Sequence, residues 1–128
     1  MLSLEQVAIN LAEQRVERER DGGLRGKPVI AGGPDAYLTR LPLAAILRVL
    51  KRHKIPAGLS LSAGVYVCNA VMYSTLHALR RQRRIPAGFI HLPYEAAQAA
   101  HHRAVASMSL ETMTAGVQLV LETIARGL

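Results

Sequence analysis

Cys68 is the only cysteine of the chain, and its surroundings suit a thiol placed to react. Val65, Tyr66 and Val67 stand before it as a short β-branched and aromatic run. Val71, Met72, Leu76 and Leu79 follow at helical spacing. The pattern predicts a strand that ends, and a helix that begins, at Cys68. A thiol at a helix N-terminus faces unpaired backbone N–H groups and the positive end of the helix dipole, and both favour the thiolate. The same N–H groups can hold the oxyanion that forms when a thiolate attacks a carbonyl. Such a nucleophile needs a base within hydrogen-bond reach and a third group to orient that base. His91, inside the apolar run GFIHLPY, is the candidate base, because an imidazole in apolar surroundings is costly without a partner. Glu5, directly ahead of an apolar strand, is the candidate orienting carboxylate. Taken as residue types alone, these three leave the bland alternatives open. A lone cysteine commonly packs as a small hydrophobe, a strand histidine is commonly a hydrogen-bonded structural residue, and a glutamate near a chain end is commonly a solvated charge.

The elements that must position these groups follow from hydrophobic period and punctuation. Residues 4–10, LEQVAIN, read as a strand, and the segment from Glu17 to Gly26 has no apolar period and reads as a loop. GGPDAYLTRLP is turn chemistry, and Pro42 suits the first turn of a helix. Residues 43–53 place Leu43, Ile46, Leu47 and Leu50 on one face with basic residues in the last turn, which predicts a helix. A short strand is expected around Leu59–Leu61. LKRHKIPAGLSLS is then echoed by LRRQRRIPAGFIHL: a helix ending in basic residues, a Pro-Gly break, and a strand. One echo is too little for a repeat protein, but it suggests two successive αβ units feeding one sheet through short loops. Residues 94–105 are Ala-rich and expected to be helical. The last helix is expected to start after Ser109 as N-cap and to end before Gly127. Strands alternating with helices argue for an α/β sandwich with helices on both faces.

The totals narrow the function classes. The 128 residues suffice for one domain, and 50% hydrophobic with 20% charged is a globular composition. A single cysteine rules out an internal disulfide and fits a reducing compartment. The N-terminus has no basic region and carries Glu5 early, unlike a signal peptide. No apolar run approaches the ~20 residues that span a bilayer. A cytoplasmic protein with no membrane partner is therefore expected. The net charge of +7, from 16 Lys+Arg against 9 Asp+Glu, raises nucleic acid as a partner. The basic residues are scattered between Arg15 and Lys27, Arg48 and Lys54, and Arg80 and Arg84. One Phe and four Tyr offer little base stacking, so a basic solvated surface is the better reading. His101 and His102 lack metal-ligand spacing and read as exposed helix residues.

SAGVYVCNAVMYSTLH, GFIHLPY, LEQVAIN and GGPDAYLTRLP, in this chain, together resemble the pyroglutamyl peptidase family, also called pyrrolidone-carboxylate peptidases. The family pattern AGxxVCN ends here at Cys68 and Asn69, GFIHxPY gives His91, and ERVAIN, here EQVAIN, gives Glu5. The resemblance implies a cysteine peptidase that removes an N-terminal pyroglutamate from peptides through a Cys-His-Glu triad and a thioester acyl-enzyme, with neither cofactor nor metal. It implies that Tyr66 and Arg15 contribute to substrate binding. It also implies a homo-oligomer, and a three-layer α/β/α sandwich around a mixed, mostly parallel sheet.

Departures from the family pattern carry expectations of their own. Family members begin with a long segment, bearing a GFDPFGG-like loop and sheet strands, that has no counterpart ahead of Glu5 here. Residues 1–128 therefore read as a single partial domain, with its sheet incomplete on the N-terminal side. The ARIPDN-like loop of the family reads QRVERE here, so Arg15 matches while Glu17, Arg18 and Glu19 replace the Pro-Asp-Asn element. The alternative reading is a truncated, inactive member of the family that acts as an interaction module or remnant.

Overall fold

The computed structural model describes residues 1–12, 26–102 and 105–127. Its elements run β1 (Leu2–Ile9), β2 (Ala36–Leu38), α1 (Leu43–Arg52), β3 (Ala57–Ser62), α2 (Val67–Ala78), β4 (Phe89–His91), α3 (Ala96–Ala99) and α4 (Leu110–Ala125). The fold is α/β, as expected, with an open, mixed four-stranded sheet in which β1 pairs with β2, β3 and β4. β1 and β2 are antiparallel, with Val7 opposite Leu38 and Ile9 opposite Ala36. Both IPAG breaks lead into strands, as the echo suggested: β3 begins within the first, at Ala57, and β4 follows the second.

The chain divides into two compact units. The first comprises Met1–Leu4, Leu41–Ser60 and Phe89–Leu128. Here α1 packs on α4, and Leu2, Leu4, Ile46, Leu50, Ile55, Met113 and Val120 form the buried core. Leu43 and Leu47, on the same apolar face of α1, pack against it. Gly116 allows close approach, because a Cβ there would lie 2.7 Å from Leu2 Cδ1. α1 ends in a tight reversal: Lys54 N–H donates to the Lys51 carbonyl and Ile55 N–H to the Leu50 carbonyl, with Lys54 at φ 59° where glycine is usual. Ser109 caps α4 by accepting from the Thr112 N–H, as its position suggested.

The second unit comprises Glu5–Arg40 and Leu61–Gly88, and α2 packs on β2 within it. An asparagine and a tyrosine hold its irregular segments. Asn10 Nδ2 donates to the carbonyls of Ile30 and Gly33, and its Oδ1 accepts from the Ile30 N–H. The buried Tyr73 donates its hydroxyl to the Pro34 carbonyl at 2.7 Å. Gly33 has no room for a Cβ, which would strike that hydroxyl.

Two expectations change. Val65–Val67 is not a strand: β3 ends at Ser62, and Gly64, at φ +73°, turns the chain while its N–H donates to Ser62 Oγ. Among the described residues of the Ala-rich segment 94–105, Ala96–Ala99 alone are helical. Its alanines bury no apolar stripe, and propensity alone does not sustain so short a helix. The Glu95–Gln98 capping box starts it, and the chain then turns so that Tyr94 bridges Ser107. The loop expected from Glu17 lies, as far as residue 25, outside the described residues.

Candidate active site

Cys68 is the second residue of α2, one position further into the helix than the sequence suggested. Tyr66 is the N-cap, in extended conformation with ψ 179°, and its side chain makes no capping hydrogen bond. The first turn contains no acidic residue. The leading N–H groups of α2 are therefore not taken by the N-cap side chain, and they are the donors an anion would use. Cys68 is half-buried and in no disulfide. Tyr66 is 65% exposed, and its ring borders Gly64.

The residue after the thiol fixes this helix end. Asn69 is fully buried. Its Oδ1 accepts from the Ile9 N–H at 2.9 Å, and its Nδ2 donates to the carbonyls of Ile9 at 2.9 Å and Leu11 at 3.0 Å. One side-chain amide thus meets the end of β1 as another peptide group would, tying the first turn of α2 to the strand that carries Glu5. In the sequence Asn69 stands only as the last residue of the AGxxVCN pattern.

Glu5 is buried, with 1% of its surface exposed. It breaks the alternation of β1, since Leu4 and Glu5 are both buried. A carboxylate so deep is sustained only where hydrogen bonds or opposite charge meet it. Glu5 and Cys68 belong to the second unit, and His91 belongs to the first. His91 closes β4, half-buried, with its ring 5.0 Å from that of Phe89 in an edge-on arrangement. Arg15 lies outside the described residues. Among the described residues no cluster of His, Cys, Asp and Glu is arranged to hold a metal ion.

The fold and this helix end define an α/β protein that carries a thiol on the first turn of a helix, next to a strand bearing a buried carboxylate. Residues 1–127 match the family described as pyroglutamyl peptidase. The pyrrolidone-carboxylate peptidase of Coprothermobacter proteolyticus is 40% identical over 129 residues, which cover 99% of this chain and 62% of that protein. That of Klebsiella pneumoniae is 42% identical over 122 residues, covering 95% of this chain and 55% of that protein. Among solved structures, pyroglutamyl peptidase I from Bacillus amyloliquefaciens superposes with a TM-score of 0.84 at 36% identity, over 97% of this chain and 59% of the other. The pyrrolidone carboxyl peptidase of Pyrococcus furiosus gives 0.83 at 31% identity, over 98% and 63%. The chain belongs to the pyroglutamyl peptidase family, and it spans roughly three-fifths of the length of these relatives.

Proposed function

We propose that this chain carries the catalytic residues of a cysteine peptidase that removes N-terminal pyroglutamate from peptides. In this reading the Cys68 thiolate attacks the pyroglutamyl carbonyl. The oxyanion is held by N–H groups of the first turn of α2. His91 takes the thiol proton and returns it to the departing amine, and Glu5 fixes the imidazole tautomer. The thioester is then hydrolysed by water, releasing pyroglutamate and restoring the thiol. The exposed ring of Tyr66, two residues before the nucleophile, offers an apolar surface to the lactam. Arg15 enters the reading through the family pattern alone.

The observation that carries the proposal is Cys68 on an uncapped helix start, in a chain of this family. The half-buried thiol suits a reducing compartment, the cytoplasm. Exposed Leu110 and Leu121 on α4 support the expected homo-oligomer. The test is hydrolysis of a pyroglutamyl fluorogenic amide by the purified chain, with Cys68→Ala beside it. Release that disappears in the variant is expected. A folded chain that releases nothing refutes activity for this chain and favours the inactive alternative.

A further inference from the structure

The second unit contains a cavity of about 440 Å³ on the side of β2 and the C-terminal end of α2. Arg40, Arg80 and Arg83 line it, together with Tyr37, Leu38 and Leu76, and none of the residues lining it is acidic. Arg40 is held rigidly. Its backbone N–H donates to the Ala87 carbonyl, and its Nη1 donates to the carbonyls of Leu79 at 3.3 Å and Gln82 at 3.0 Å. Those contacts offset the negative end of α2 and leave the guanidinium half used: Nη2 is shielded from solvent and has no acceptor among the described residues. A shielded donor without an acceptor is costly, and the guanidinium relieves that cost by turning Nη2 toward an anion in the cavity. Arg80 and Arg83 are exposed on the turn that follows the helix and add two charges at the mouth. Arg80 is itself steadied by Nη1 donating to the His77 carbonyl.

Guanidinium forks match the geometry of phosphate oxygens. The cavity is larger than inorganic phosphate needs and falls in the range of small-ligand sites. The Tyr37 ring and Leu76 supply an apolar wall for an organic body. Leu76 lies eight residues along α2 from Cys68, about 12 Å at the helical rise, so this cleft is separate from the nucleophile. We propose that it binds a small phosphate monoester, with Arg40 at its base and Arg80 and Arg83 closing on the phosphate oxygens.

The test is titration of the whole chain with inorganic phosphate and with phenyl phosphate, at ionic strength held constant with sodium chloride, followed by amide NMR shifts. Saturable shifts at Tyr37, Arg40 and Leu76 are expected, with phenyl phosphate binding more tightly than phosphate. Arg80→Gln and Arg83→Gln change exposed residues and leave the fold in place, and each is expected to weaken binding by about tenfold or more. Shifts no larger than those with chloride, or unchanged affinity in both variants, overturn the site. Phenyl phosphate binding no tighter than phosphate overturns the monoester assignment.

Discussion

Asn69→Ala is the perturbation that most directly tests how the thiol-bearing helix is held. The substitution removes three hydrogen bonds and leaves the N–H and carbonyl of Ile9 and the carbonyl of Leu11 without their partner. Leu11 is 38% exposed, so its carbonyl can recover a bond from water. The two groups of Ile9 are half-buried and recover less. At roughly 1–3 kcal/mol for each orphaned buried group, the expected loss is about 2–4 kcal/mol. For a chain of this size that lowers the melting temperature by roughly 6–15 °C. Asn69→Asp keeps the acceptor for the Ile9 N–H but turns both donations into a carboxylate facing two carbonyls, so it is expected to lose at least as much. Thermal unfolding followed by circular dichroism measures both. The alkylation rate of Cys68 in the folded variants then reports whether the helix start has moved. An Asn69→Ala protein that melts within about 2 °C of the parent would refute the argument that these bonds anchor α2.

Further outcomes follow from other sites. Leu50→Ala, in the core beneath α1, is expected to cost about 2–5 kcal/mol, read as a lower urea midpoint. The Tyr73 hydroxyl is pushed above its ordinary value by burial first, then by the nearby Tyr37 and Asp35. The unfolded chain therefore releases this proton first as pH rises, so the stability Tyr73 contributes is intact below about pH 10 and declines above it. Tyr73→Phe is expected to be less stable than the parent at neutral pH by about 1 kcal/mol but to lose less between neutral pH and pH 11, seen in melting temperatures at the two pH values. If Cys68 is the nucleophile, iodoacetamide at pH 6 should modify it faster than a free thiol, and His91→Ala should slow it. Equal rates for the parent and the variant would assign the cysteine to packing.

Much of the fold was legible because period and punctuation agree. Leu43, Ile46, Leu47 and Leu50 mark the face of α1, Ser109 marks the start of α4, and the two IPAG breaks mark the entries to β3 and β4. What misled was local propensity acting without burial. Val65, Tyr66 and Val67 favour extended backbone, yet Gly64 has already turned the chain. The alanines after Glu95 favour helix, yet none of Ala96, Ala97, Ala99 and Ala100 is buried. At the candidate site Cys68 could be read from the change of period beside it, and Glu5 from a charge ahead of an apolar strand. Asn69 could not, because its value lies in one donor and two acceptors some sixty residues away along the chain, the Ile9 N–H and the carbonyls of Ile9 and Leu11, which no local pattern encodes.

The amide of Asn69 has one more consequence. Asn10 N–H points to the Asp35 carbonyl, on the β2 side, so in an extended strand the N–H and carbonyl of Ile9 point the other way. At that position the neighbour is a side chain of α2 rather than a further strand. A single asparagine of α2 therefore stands where the next strand of the ladder would, and losing it would fray the end of β1 as well as loosen the helix.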